Sequence, residues 1–271
     1  MKYCSIPKTG ERISRLGLSL GDQSGFSSSE QEKIVQASVE AGVNYLDIKA
    51  AHDGLAQSIR SMRERLMIQV HFGSAHEPTV LKTCQTGFKL AERNLKHQLG
   101  LLGLGHADFA VIGCGHDENI DEVIHGGMLD YAVRQRDAGL IRYLAFCAGS
   151  ADSVRTYLQT GAFDWAMISI DMVGEAFGNG RCDSDAANGT ASFLEELADC
   201  RVGFAVCDSG CRTAYANANY THDRHGQVKR MRQAMHIPGA RTVCSEVCSF
   251  DDTLQAIKSF ETASEDMRQV A

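Results

Sequence analysis

The stretch NYLDIKAAHDG (44–54) places a carboxylate and an imidazole, Asp47 and His52, five residues apart where an apolar run becomes a polar turn. A second apolar run, LMIQVHFG (66–73), also ends on an imidazole, His71. A carboxylate beside an imidazole stabilises the imidazolium and orients the ring. Imidazole titrates near neutral pH, so it can both accept and donate a proton. These residue types predict an acid/base site, provided that the fold brings the two segments together.

Eight short apolar runs have the character of buried parallel strands, and amphipathic stretches separate them. The first such stretch, SSSEQEKIVQASVEAG (27–42), opens with a capping box of Ser27 and Glu30 and predicts a helix. Strands alternating with helices eight times predict an α/β fold, the (β/α)8 TIM barrel. The Thr9-Gly10 turn predicts an N-terminal β-hairpin before the barrel. We interpret residues 1–271 as a single domain with strands at 15–20, 44–48, 65–70, 107–112, 142–147, 164–170, 202–207 and 240–244.

Composition excludes several classes of partner. The net charge of the 271 residues is −7 and no basic block occurs, which argues against binding to nucleic acid or an anionic membrane surface. No apolar run approaches the roughly 18 residues of a membrane span. The N-terminus lacks the pattern of a signal peptide, and ten cysteines without one favour reduced thiols and a cytoplasmic location.

The loops that follow the strands carry the chemistry in barrels of this type. The predicted strand ends are rich in acid, imidazole and thiol, which favours a catalytic site that includes Asp47, His52, His71 and His116. The long glycine-rich segment 171–190 after the sixth strand has the character of a lid. The other chemically active residues at these ends are Cys114, Asp117, Cys147, Asp171, Cys207, Asp208, Cys211, Cys244, Glu246 and Cys248.

The cysteines allow a second interpretation, a metal site. Cys207 and Cys211 follow the seventh strand, Cys244 and Cys248 follow the eighth, and zinc or iron accepts such ligands. The spacing is wider than the Cys-x-x-Cys of a zinc ribbon, and free cysteine is often a small buried apolar residue. Both interpretations stay open at this point.

Five segments of the sequence, taken in order, resemble the aldo-keto reductase superfamily. They are IPKTGERISRLGL (6–18), EAGVNYLDIKAAHDG (40–54), RERLMIQVHFG (63–73), AGLIRYLAF (138–146) and IPGARTVCSEVCSFDDTLQAI (237–257). The resemblance implies a (β/α)8 barrel with an N-terminal hairpin, which agrees with the pattern of strands and helices. It also implies carbonyl reduction by NADPH with a tetrad of Asp, Tyr, Lys and His.

The tetrad is largely replaced in this chain. The family's aspartate falls on Asp47, but its tyrosine falls on His52 and its lysine on His71. The family's histidine falls on Gly113, with His116 three residues beyond. Three of the four positions therefore differ, and this protein is expected to be a divergent member.

The part of the sequence that would bind the nicotinamide cofactor also departs from the family. The family's glycine falls on Glu246 and its asparagine near Ala256. Asp251 and Asp252 stand at the start of a predicted helix, where they would repel the extra phosphate of NADPH. NADPH is therefore disfavoured. The residues left as cofactor candidates are Arg212, Arg241, Ser245 and Ser249.

Three functions remain as hypotheses. The first is non-redox acid/base chemistry (lyase, dehydratase or isomerase) on a small hydroxy-carbonyl substrate, using Asp47, His52 and His71. The second is an NADP-dependent carbonyl reductase with His52 as the proton donor. The third is a metal-binding or non-catalytic regulatory relative. Neither the identity of the substrate nor the oligomeric state follows from the sequence.

Overall fold

The computed structural model describes residues 1–20, 27–49, 51, 53–72, 84–112, 120–148, 150–170, 196, 199, 201–208 and 224–270. The strands are β1 Tyr3–Ser5, β2 Arg12–Ser14, β3 Leu16–Leu20, β4 Tyr45–Ile48, β5 Met67–His71, β6 Ala107–Ile112, β7 Ile141–Ala148, β8 Trp165–Ser169, β9 Gly203–Asp208 and β10 Ala240–Val247. The helices are α1 Ser28–Glu40, α2 Asp53–Ser61, a 3₁₀ turn at Arg63–Arg65, α3 Cys84–Leu102, α4 Ile120–His125, α5 Met128–Asp137, α6 Ala151–Gln159, α7 Arg224–His236 and α8 Phe250–Val270.

The eight long strands close into a barrel in which β3 to β10 pair in chain order and β10 returns to pair with β3. All of these pairings are parallel. The two short strands β1 and β2 form a separate antiparallel hairpin. The predicted TIM barrel with an N-terminal hairpin is confirmed.

Local sequence signals account for part of the helical layer. Ser27 caps α1 and forms the predicted capping box with Glu30. Helices α2 and α4 were not predicted. The glycine-rich segment 171–190, which the sequence analysis interpreted as a lid, lies outside the described residues. Within the described part of the chain, no helix is long and apolar enough to cross a membrane.

Alternation along the strands creates two cores. Leu46 and Ile48 belong to the layer between the barrel and its helices. Tyr45 belongs to a second cluster that fills the barrel, where its ring lies 5.3 Å from that of Phe109, and the Phe109 ring lies 5.3 Å from that of Trp165. The barrel is therefore a packed core at this level, and chemistry is confined to the strand ends above it.

Ion pairs secure the opposite end of the barrel. The buried carboxylate of Asp108 pairs with Arg63 at 2.8 Å and with Arg142 at 3.0 Å, and it accepts a hydrogen bond from the amide of Ile68. Arg142 also pairs at 2.7 Å with Glu11, which follows the turn of the hairpin. These contacts fasten the hairpin to the amino-terminal end of the barrel, the end opposite the one where barrel enzymes carry their active sites.

Gly203 is required by the aromatic packing. A Cβ at this position would lie 2.3 Å from Trp165 Cζ3 and 3.0 Å from Pro7 Cδ. We expect Gly203→Ala to lower the free energy of unfolding by roughly 1–3 kcal/mol, because a well-packed core resists an added methyl group. Urea denaturation monitored by tryptophan fluorescence measures the change. Gly105→Ala is the control, since no atom lies within 4 Å of its Cβ position, and equal stability of the two variants would contradict the expectation.

Candidate active site

Strand register lines up four polar residues at the carboxyl ends of neighbouring strands. Glu246 on β10 lies opposite Ser19 on β3, Ser19 opposite Asp47 on β4, and Asp47 opposite Gln69 on β5. By alternation each belongs to the inward-facing set of its strand. The opening of the barrel at the carboxyl ends of its strands, its mouth, is therefore lined on one side by polar side chains from four adjacent strands.

Asp47 is the centre of this polar lining and accepts three hydrogen bonds. Its Oδ2 accepts from Ser19 Oγ at 2.7 Å, and its Oδ1 accepts from Gln69 Nε2 at 2.7 Å and from His71 Nε2 at 2.5 Å. Asp47 is completely buried. A buried carboxylate is tolerated only when its lone pairs are satisfied, and these three donors satisfy them.

The orientation of Gln69 is determined by a further hydrogen bond. The hydroxyl of Tyr45 donates to Gln69 Oε1 at 2.6 Å, which turns the amide nitrogen towards Asp47. The same nitrogen lies 2.7 Å from the sulfur of Met167 on the far side of the barrel. Tyr45, a residue of the aromatic core, thus fixes the orientation of the Gln69 amide, which in turn donates to Asp47. The site is therefore ordered before a substrate binds.

His71 is oriented through one of its two ring nitrogens. Its Nε2 donates to Asp47, so a proton exchanged with a substrate would pass through Nδ1, the other ring nitrogen. Its backbone carbonyl accepts a hydrogen bond from Gln98 on α3, and only 7% of the residue is exposed. This arrangement pairs an imidazole with a carboxylate that orients the ring and stabilises its charged form.

The electrostatics of the pair favour an ionised Asp47. Burial by itself would raise the pKa of this carboxyl group. The charge and hydrogen bond of His71, the charge of Lys49 and the hydrogen bond from Ser19 outweigh burial and lower the pKa of Asp47 to about 2. Asp47 is therefore an anion at neutral pH and acts as a hydrogen-bond acceptor, not as an acid.

The structure adds a lysine that the sequence analysis did not identify. Lys49 follows β4, and its Nζ lies 2.8 Å from Glu246 Oε1 on β10. Their side chains are 21% and 9% exposed, respectively. Lys49 stands two residues after Asp47, so strand alternation alone could have placed both on the same face.

Thiols line another part of the barrel interior. Cys207 on β9 lies opposite Cys244 on β10, and Cys147 and Cys207 pack against the interior cluster that contains Cys244. A hydrogen bond with Cys244, burial, and the nearby Cys147 and Asp47 raise the pKa of Cys207 well above its usual value. Its thiol is therefore protonated at neutral pH.

The metal hypothesis gains no support from the part of the chain that is described. No three His, Cys, Asp or Glu side chains there are grouped so as to hold a metal ion. Cys248 is buried beside the start of α8, where its amide donates to Asp252. Cys211 lies outside the described residues, so a zinc or iron site stays a prediction.

Several predicted site residues are likewise outside the described part of the chain. Within that part, the strand ends bring together Asp47, His71 and Glu246, with Cys147, Cys207 and Cys244 on the same interior surface. No placement is given for the remaining predicted residues, which are His52, Gly113, Cys114, His116, Asp117, Asp171 and Arg212.

Comparison with known proteins rests on structure. No family model and no curated protein matches the chain. A Pseudomonas aeruginosa protein assigned to the aldo-keto reductases superposes with a TM-score of 0.72 at 15% identity, covering 96% of this chain and 94% of that one. The holo form of an aldo-keto reductase from Bacillus halodurans gives 0.65 at 16%, covering 96% and 91%. A thermostable aldo-keto reductase solved with the inhibitor epalrestat gives 0.64 at 15%, covering 96% and 94%.

The chain has the aldo-keto reductase fold. Sequence identity this low establishes the architecture but not the activity. At the carboxyl end of β5 stands an imidazole, His71, hydrogen-bonded to Asp47. Near the carboxyl end of β10 stands a carboxylate, Glu246, paired with Lys49.

The residues that would hold NADPH do not fit it in the described part of this aldo-keto reductase fold. Ser249 caps α8 by accepting from the amide of Asp252 at 3.0 Å, and Asp252 accepts from the amide of Cys248 at 3.1 Å. These amides would otherwise bind a phosphate. Asp251 adds a second negative charge in the first turn.

Two other cofactor candidates face away from the mouth. Arg241 is the second residue of β10, at the amino-terminal end of the strand, where its carbonyl accepts from Cys4 Sγ at 2.8 Å. Ser245 is buried, and its hydroxyl lies 3.4 Å from Gln227 Nε2 on α7. The structure therefore does not bring Arg241, Ser245 and Ser249 together around a common space.

Proposed function

We propose that this protein is an enzyme that transfers protons on a small hydroxy-carbonyl substrate, with His71 as the acid/base group and Asp47 as its positioning partner. The observation that carries the proposal is the 2.5 Å contact between His71 Nε2 and Asp47 Oδ1 at the mouth of the barrel. The reaction class is that of an isomerase, lyase or dehydratase, and the step assigned to this site is the removal of a proton next to a carbonyl group.

The support is chemical. Imidazole works as both base and acid near neutral pH, and a positioned group of this kind contributes roughly 10²–10⁴-fold to rate. The carboxylate sets the ring's orientation and tautomer, and Ser19, Gln69 and Tyr45 hold the carboxylate. A hydrogen-bonded chain of this length is more than a buried histidine needs for structural satisfaction alone. The roles predicted for His52 and His116 stay part of the proposal.

A second candidate is an NADP-dependent carbonyl reductase with His52 as the proton donor. It is favoured by the fold, because the similar solved structures are aldo-keto reductases. It is disfavoured by the self-capped start of α8 and by the Lys49–Glu246 pair on the β10 side of the mouth. We derive no step through NADPH for this reason.

One experiment separates the two candidates. Purified protein is incubated in D₂O with small hydroxy-aldehydes and hydroxy-ketones, and deuterium at the carbon next to the carbonyl is followed by NMR, with and without NADPH. We expect deuterium incorporation without cofactor. We also expect no saturable change in NADPH fluorescence up to ~1 mM, so that any binding free energy is weaker than about −4 kcal/mol. Cofactor binding at micromolar concentration together with substrate-dependent NADPH oxidation would establish the reductase instead.

A further inference from the structure

The Lys49–Glu246 pair lies beside the acid/base pair of His71 and Asp47, and the proposed proton transfer assigns no role to either Lys49 or Glu246. Ile48 and Val70 are opposite each other on β4 and β5, so the residues that follow them, Lys49 and His71, are neighbours at the strand ends. The charge of Lys49 also acts on Asp47. The ammonium therefore lies within the electrostatic reach of the acid/base pair and not at a separate site.

The four charged side chains at the mouth of the barrel differ in how much of their surface is exposed. The side chain of Asp47 is 1% exposed, that of His71 7%, that of Glu246 9% and that of Lys49 21%. Lys49 is therefore the most accessible of these four groups, while Asp47 is closed off behind them.

The pairing with Glu246 prepares Lys49 for binding a negatively charged oxygen. A carboxylate at 2.8 Å favours the charged form of the ammonium and restricts a long, flexible side chain. An ammonium has three N–H donors and can hold several acceptors at once. A donor that is held in place before the reaction acts without reorganisation cost when charge develops.

We propose that Lys49 binds the carbonyl oxygen of an α-hydroxy aldehyde or ketone and stabilises the enediolate formed from it. This inference rests on the proposed function. The C–H bond next to the carbonyl breaks, and its proton passes to Nδ1 of neutral His71. The electron pair of that bond forms the carbon–carbon double bond, and the carbonyl oxygen becomes an oxyanion that accepts a hydrogen bond from Lys49. Return of the proton to the same carbon regenerates the starting compound. Its addition to the former carbonyl carbon, together with transfer of the hydroxyl proton of the enediolate to the neighbouring oxyanion, gives the isomeric carbonyl compound. Glu246 is the positioning residue for Lys49.

The test compares Lys49→Met with Lys49→Arg. Two quantities are measured for each variant: the rate of deuterium exchange and the affinity for glycolohydroxamate, a small mimic of an enediolate. Removal of one oxyanion donor typically costs about 10²–10³-fold in kcat. We expect Lys49→Met to lose kcat by about this factor, to lose affinity for glycolohydroxamate, and to change KM much less. Lys49→Arg is expected to recover part of both. Lys96→Met is the matched control, because Lys96 forms an exposed pair with Glu92 on α3.

Two further outcomes keep the inference separate from stability and from the proposed function. Lys49→Met leaves Glu246 without its cation, so Lys49→Met/Glu246→Gln removes both charges and is expected to fold while remaining slow. Wild-type kcat and glycolohydroxamate affinity in Lys49→Met would overturn the role of Lys49 alone. Absence of exchange in the wild-type protein would overturn the proposed function, and the role of Lys49 with it.

Discussion

Replacement of His71 by alanine is expected to lower the rate of deuterium exchange roughly a thousand-fold, within the range for loss of a general acid/base group. The imidazole is the acid/base group of the proposed reaction, and Asp47 cannot substitute for it because its pKa is lowered to about 2. The loss should appear in kcat more than in KM, since the imidazole is proposed to transfer the proton rather than to bind the substrate. Steady-state exchange kinetics by NMR measure both parameters.

A separate control shows whether the His71→Ala variant is folded. Circular dichroism and the thermal midpoint should show a folded His71→Ala protein, and His97→Ala on the exposed side of α3 should retain full activity. The sequence also predicts that His52→Ala abolishes turnover. Full exchange activity in a folded His71→Ala variant would remove the acid/base assignment.

Asp47→Asn is expected to reduce kcat by roughly 10³–10⁴-fold although the side chain keeps its size. The carboxylate accepts from His71, Gln69 and Ser19, whereas an amide offers its own N–H donors in place of one acceptor. His71 would then lose the partner that sets its tautomer and orientation, a loss that is severe in other carboxylate–histidine sites. Exchange kinetics of the purified variant measure the effect.

The same substitution has a pH signature. The pKa of Asp47 is lowered from 3.8 to about 2 in the folded protein, so its ionised form stabilises the fold at pH values above about 4. That contribution, about 2 kcal/mol, is lost as the pH falls from about 4 towards 2. Asp47→Asn lacks the titrating group, so its stability should fall less steeply over this interval.

Urea denaturation at several pH values between 2 and 5 tests this difference. Asp137→Asn at the exposed end of α5 is the control, because it also removes one carboxylate but leaves the site intact. An Asp47→Asn protein with the same acid dependence as the wild type would show that the buried pair does not contribute to acid stability. Wild-type kcat in that variant would show that Asp47 does not position His71.

Much of the architecture followed from local patterns. Strand-like runs separated by amphipathic stretches led to the barrel, the Thr9-Gly10 turn to the hairpin, and the Ser27–Glu30 pair to the start of α1. The placement of Asp47 and His71 at neighbouring strand ends followed as well, because consecutive strands of a barrel pair in chain order. Short helices such as α4 escaped prediction because they have too few turns to show a helical period.

Only the tertiary structure determined which charged side chains pair with each other. Lys49 and Glu246 meet because closure of the barrel brings β10 to β3, beside β4, and no local pattern specifies that meeting. Arg241 and Glu246 lie near opposite ends of β10 because five residues of extended chain separate their positions. Residue type and alternation therefore determined which side chains face the interior. Only the closed sheet determined which charges lie within hydrogen-bonding distance, because that distance depends on register around the whole barrel.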